Sequence, residues 1–174
     1  HPIADRFAGR DVGQSDRGGK PTVVLLPGSR AGELRRHLPV IATTISHLRA
    51  THDVTFEMVL PNEEMVALAG TLLPRSHGVT MRTGSLVEAL ANADFAIASS
   101  GTVTLECAWL GVPTIVLYKT SPLTYAIARR VVTVNWIAMP NILLGREIFP
   151  EFIQHEATPS NLEAAARAWL DNTD

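Results

Sequence analysis

Two short stretches carry residue types that could do chemistry. Pro27-Gly28-Ser29-Arg30 follows the apolar run TVVLL (22–26), and Ser99-Ser100-Gly101-Thr102 closes the run DFAIAS (94–99). A glycine lets backbone amides approach a ligand closely, and a serine adds a hydroxyl. An arginine brings a permanent cation whose forked donors suit a phosphate. Each stretch opens a helix, where free amides attract anions. Neither matches the dinucleotide fingerprint or the lysine-bearing phosphate loop. PGSR alone equally suits an ordinary strand-to-helix turn with a solvated arginine. Glu106 stands one helical turn beyond Thr102, in the otherwise apolar segment TLECAWLG (104–111). At i and i+4 the two share a face, so a phosphate near Thr102 would bring an attached sugar near Glu106. The two oxygens of that carboxylate suit the vicinal hydroxyls of a ribose. The alternative is a glutamate paired with a cation or exposed on the outer face. Two phosphate-type turns plus a ribose-suited acid make a nucleoside diphosphate the economical ligand.

Other polar residues point less sharply. Asn141 in MPN (139–141) could read a base edge or hold a phosphate, or simply form a turn after Pro140. Arg35, Arg36 and His37 read as a solvated helix face. The six histidines are scattered without paired spacing, which disfavours a metal site. Cys107 has small apolar neighbours and no adjacent base, as expected of a core residue. Leu123, Tyr125, Ile127, Arg129 and Arg130 could form a basic, apolar membrane-docking helix, although core packing with two exposed arginines explains them as well.

The elements that must position these residues alternate. TVVLL (22–26), VTFEMVL (54–60), GVTMR (78–82), DFAIAS (94–99) and PTIVLY (113–118) read as strands, TVVLL as one buried on both faces and the last two as buried apolar runs. Helices are expected between them. Leu34, Leu38, Ile41, Ile45 and Leu48 make one buried stripe, with a kink or break at Pro39. A helix capped by Asn62 runs to about Leu73, with Glu63 and Glu64 in its first turn. Short helices follow at 85–93 and 102–110, then helices at 122–132 and 160–170, while 136–145 reads as strand or loop. The pattern defines an α/β, doubly wound, mostly parallel sheet, in which ligands bind beyond the carboxyl ends of the strands.

Composition bounds the function. The 174 residues are 46% hydrophobic and 18% charged, as in an ordinary globular domain. A formal charge of −2 gives no basic field, which excludes a generic nucleic-acid binder. One cysteine cannot form an internal disulfide. No signal peptide or membrane-spanning run is visible. A start at His1 rather than Met reads as a chain cut from a longer protein, with residues 8–21 a linker.

LLPGSR (25–30), SSGTVTLECAWLGVPTIVLYK (99–119) and MPNILLGREIFPEFIQ (139–154), with HPIAD at the start, resemble lipid-A-disaccharide synthase, in order along nearly the whole chain. The resemblance implies an inverting glycosyltransferase of the two-domain B-type fold. Such enzymes join UDP-2,3-diacylglucosamine to 2,3-diacylglucosamine 1-phosphate, releasing UDP and forming the β-1′,6 disaccharide of lipid A. This chain resembles the C-terminal, donor-binding half: an interdomain remnant at 1–21 and a Rossmann-like UDP-sugar-binding domain at 22–174, inactive alone. Carried over residue by residue, Gly28, Ser29 and Arg30 belong at the diphosphate with Ser100, Gly101 and Thr102. Glu106 belongs on the ribose, and Asn141 lines the same site. Arg146, Glu151 and Gln154 match the GRE and PE-x-x-Q positions of the UDP-binding set. Arg30 and Asn141 are the expected charge stabilisers, with the general base outside this chain. No metal or cofactor is implied. The implied partners are the two acylated sugars, the protein's own N-terminal domain and the cytoplasmic face of the inner membrane; a homodimer is compatible and nucleic acid is not expected. Another B-type UDP-sugar enzyme (a lipid-linked glycosyltransferase or UDP-sugar epimerase) and a non-catalytic nucleotide-binding module remain open.

Overall fold

The computed structural model describes residues 19–74, 77–121, 124–125 and 135–171. Six strands, β1 (Thr22–Leu26), β2 (Thr55–Leu60), β3 (Thr80–Thr83), β4 (Phe95–Ser99), β5 (Thr114–Tyr118) and β6 (Glu151–Ile153), form one sheet in the order β3-β2-β1-β4-β5-β6. Every pairing is parallel. Parallel neighbours require crossovers that cover both faces of the sheet. The helices are α1 (Ala31–Thr51), α2 (Glu63–Leu72), α3 (Leu86–Ala91), α4 (Val103–Trp109), α5 (Met139–Leu144) and α6 (Pro159–Leu170).

The period of two along each strand divides the core. Val23, Leu25, Phe95, Ile97, Ile115 and Leu117 pack against Leu34, Leu38, Ile41, Ile45 and Leu48 of α1, together with residues of α2 and α6. Val24, Leu26, Ala96, Ala98 and Val116 face α3 and α4 on the opposite side. Each fully buried leucine or isoleucine of α1 contributes about 1.5–3 kcal/mol, so the stripe fixes that helix on the sheet. The chain builds β1, β2 and β3 outward, then returns to lay β4 beside β1. The reversal opens a crevice at the carboxyl ends of β1 and β4, where PGSR and SSGT lie.

Three expectations need correction. Pro39 does not break α1, which runs unbroken from Ala31 to Thr51. Pro39 is exposed, so water can satisfy the carbonyl that its missing N–H leaves unpaired. The segment read as strand or loop at 136–145 contains helix α5, with Pro140 in its first turn and Gly145 at φ 62° ending it. An additional strand, β6, pairs with Val116–Tyr118 at the edge of the sheet. The helix expected at 122–132 lies outside the described residues except for positions 124–125, as does most of the linker at 8–21.

Candidate functional site

The two small-residue turns converge. Gly28, Ser29, Arg30 and Glu33 line one side of a cavity of about 540 Å³, and Ser99, Ser100, Gly101, Thr102 and Val103 line the other. Val59, Leu60, Pro61, Gly84, Ser85 and Leu86 extend it past the ends of β2 and β3. Gly28 has φ 124°, and a Cβ there would stand 2.8 Å from Cβ of Glu33, so no other residue fits this turn without displacing it. The Arg30 side chain is 83% exposed and free to swing toward a ligand.

Glu33 was not among the expected site residues. Its Oε2 accepts the backbone N–H groups of Ser29 at 2.9 Å and Arg30 at 3.3 Å, and its Oε1 lies 3.7 Å from the Arg30 guanidinium. The amides of the turn therefore already hold an anionic oxygen. The signal was its position as the third residue of α1, where a glutamate reaches back to the start of its own helix. Glu33→Gln keeps an acceptor oxygen and removes the charge. UDP affinity is expected to rise roughly fivefold, about 1 kcal/mol for one like charge a few ångströms from a phosphate, as read by calorimetric titration.

His37 corrects the solvated-face reading. Arg35 and Arg36 are exposed, but His37 is fully buried. Its Nδ1–H donates to the carbonyl of Pro27 at 2.6 Å, and its Nε2 accepts the backbone N–H of Lys119 at 3.0 Å. Burial, the largest influence, holds its pKa below the ordinary histidine value. The bond to Pro27 and the charge of Glu33 pull the other way, while the Lys119 N–H, which only a bare Nε2 can accept, adds to the lowering. The unfolded chain therefore takes up the proton first. His37's contribution to stability is whole above the ordinary value and is lost as pH falls below it. The signal in the sequence was spacing: position 37 is three residues from Leu34 and four from Ile41, inside the apolar stripe.

The motif around Asn141 forms a brace behind the SSGT turn. Asn141 is fully buried. Its Oδ1 accepts the N–H groups of Ile148 (2.9 Å) and Phe149 (3.0 Å), while its Nδ2 donates to Phe149 O (2.8 Å) and Glu151 Oε1 (2.7 Å). Glu151 also accepts from the backbone of Ile137 at 2.8 Å and Ala138 at 3.0 Å. Ser100 Oγ donates to Ile137 O at 2.9 Å, joining the turn to this network. Gln154 fastens the exit of β5, accepting from Thr120 N at 2.7 Å while Lys119 Nζ donates to its carbonyl at 2.7 Å. Gly28, Ser29, Arg30, Ser100, Gly101 and Thr102 are thus brought together around the cavity. Asn141, Glu151 and Gln154 hold loops. Glu106 is half-buried on α4 and Arg146 exposed beyond α5, neither of them in the cavity wall.

Cys107 is buried on the other face of α4, and burial pushes its thiol up to about 12. Iodoacetamide is expected to leave the native protein unlabelled at neutral pH and to label it only after unfolding, as read by mass spectrometry. Among the described residues, no group of three histidine, cysteine or acidic side chains could hold a metal ion, and no helix is long and apolar enough to cross a membrane.

A six-stranded parallel sheet with helices on both faces and a cavity at its switch point defines a doubly wound, Rossmann-like α/β domain. The family model described as lipid-A-disaccharide synthetase matches residues 1–174, and the chain belongs to that family. Lipid-A-disaccharide synthases of Alkalilimnicola ehrlichii and Geobacter sulfurreducens are 38% and 36% identical to it, each over 99% of this chain. The chain spans 48% and 47% of those two proteins, about half their length. The E. coli ADP-heptose lps heptosyltransferase II shares the fold with a TM-score of 0.60 at 12% identity, over 97% of this chain and 50% of that one. A putative UDP-N-acetylglucosamine 2-epimerase from Listeria monocytogenes does so at 0.52 and 18% identity, over all of this chain and 40% of that one.

Proposed function

We propose that this chain is the donor-binding half of a lipid-A-disaccharide synthase, holding the UDP of UDP-2,3-diacylglucosamine while the sugar passes to 2,3-diacylglucosamine 1-phosphate. The observation that carries the reading is the convergence of the PGSR and SSGT turns on one cavity at the switch point. The diphosphate sits between the Pro27–Arg30 turn and the turn Ser100-Gly101-Thr102, displacing Glu33 Oε2 where it takes up the amides of Ser29 and Arg30. The lobe walled by Val59, Leu60, Pro61 and Leu86 offers an apolar surface for a base. Glu106, one turn beyond Thr102, reads the ribose hydroxyls from the rim.

When the glycosidic bond to UDP breaks, negative charge grows on the β-phosphate. The Arg30 guanidinium, and the amides of its turn once Glu33 has given them up, offset that charge without a metal. Asn141, expected beside Arg30 as a charge stabiliser, acts in this reading through the loop it fixes behind Ser100. Glu151 and Gln154 share that supporting role, and Arg146 is left to the rim. The attacking 6-hydroxyl needs a base on the opposite face of the sugar, and the N-terminal domain supplies it. Acylated substrates place the full-length protein at the cytoplasmic surface of the inner membrane.

Calorimetric titration of UDP against wild type and Glu106→Ala tests the ribose assignment. About tenfold weaker binding is expected for the loss of a charge-assisted pair of hydrogen bonds, and equal affinity removes Glu106 from the site. Supplying the full-length protein with the acylated donor and acceptor, and separately with UDP-N-acetylglucosamine alone, separates the transferase from an epimerase. Epimerised sugar without disaccharide would overturn the reading.

A further inference from the structure

Helix α1 grips the phosphate-type turn at both ends. Glu33 holds the amides of Ser29 and Arg30, and one helical turn later His37 holds the carbonyl of Pro27, the residue before Gly28. The imidazole spans two loops, because its second nitrogen receives the N–H of Lys119 at the exit of β5. We propose that His37 is a positioning residue for the diphosphate subsite, locking the turn after β1 to the loop after β5 as a neutral imidazole. The inference rests on the donor-site reading above.

The chemistry of the two partners fixes the tautomer. Pro27 O can only accept, so Nδ1 carries the proton, and Lys119 N–H can only donate, so Nε2 is bare. A second proton would place Nε2–H against Lys119 N–H and convert a bond into a repulsion. The site has no solvent to absorb that change, since His37 is fully buried. The charged groups around it pull in opposite directions. Glu33 favours the imidazolium, and Arg36 on the same helix opposes it. From the β5 side, the Tyr118 ring lies 6.0 Å from the imidazole centroid. The Lys119 ammonium is turned to the carbonyls of Gln154 and Ala157. Protonation in acid therefore breaks the bond to Lys119 while Nδ1–H still donates to Pro27, so the turn after β1 loses its tie to the loop after β5 and Gly28, Ser29 and Arg30 lose their fixed presentation. His37 touches no ligand; it acts through the loop.

The test titrates UDP-N-acetylglucosamine, whose diphosphate diester carries no titrating proton in the histidine range, into the full-length protein between about pH 5 and 8. Wild type, His37→Gln, His37→Phe and Arg30→Ala are compared, with thermal melting of each. Glutamine carries one donor and one acceptor at a spacing close to that of the imidazole nitrogens, and it cannot gain a proton. Wild-type affinity is expected to hold near neutrality and fall about tenfold in acid. His37→Gln is expected to bind nearly as wild type at neutrality without the acid fall, and His37→Phe about tenfold more weakly throughout. An acid fall shared by wild type and His37→Gln, or no acid fall in wild type, overturns the proposal even if His37→Phe fails to fold. A His37→Phe protein that folds and binds as wild type also overturns it. Undiminished binding by Arg30→Ala would instead sink the donor-site reading on which it rests.

Discussion

Arg30→Ala is expected to lower turnover of the full-length enzyme by about 10²- to 10³-fold while leaving the melting temperature nearly unchanged. The two expectations have one origin. The Arg30 side chain is 83% exposed, and its nearest anion, Glu33 Oε1, is 3.7 Å away, so the folded chain gains little from it. Its value lies in meeting charge that grows on the leaving diphosphate. Arg30→Lys keeps the charge and loses the planar fork, and it is expected to recover only part of the rate. Steady-state kinetics of the three proteins decide the matter. Equal kcat in wild type and Arg30→Ala removes the arginine from the chemistry.

Asn141→Ala is expected to show the opposite profile, a large loss of stability of about 3–5 kcal/mol, read by urea unfolding. Four hydrogen bonds end on this buried amide, so alanine strands two backbone N–H groups and one carbonyl in a place water does not reach. Such a loss is a large share of the total stability of a domain this size. Asn141→Asp keeps the acceptor for Ile148 and Phe149 but sets a second carboxylate against Glu151, so it is expected to destabilise too, most at neutral pH. A drop in UDP affinity should accompany partial loosening, because Ile137 ties the brace to Ser100. An Asn141→Ala protein as stable as wild type would refute the supporting role assigned to MPN and PE.

The parts of the fold readable in the sequence are those where one local signal suffices. The apolar runs at β1, β4 and β5 are buried on both faces, as runs of that kind must be. Asn62 caps α2 through Met65 N as its position suggested. What could not be read depends on distant partners. The three residues of β6 carry no strand pattern and are ordered by pairing with β5. Exposed Ile142, Leu143 and Leu144 give α5 no amphipathic period; Pro140, Gly145 and the Asn141 network define it instead. The site divides the same way. PGSR and SSGT announce themselves by residue type, but Asn141 could not be told from a ligand contact until its four partners were seen. In RRH, the burial of His37 follows only from the phase of the whole helix.

The central claim is that a nucleotide diphosphate binds between the two turns. It is tested most directly by titrating UDP into the isotopically labelled chain and following backbone amide resonances. The largest shifts are expected at Ser29, Arg30, Gly101 and Thr102, with lesser ones at Gly84 and Ser85, and none at Asp53 or Gly78 at the far end of the sheet. Shifts centred away from the PGSR and SSGT turns, with Ser29 and Thr102 unmoved at saturation, would contradict the account.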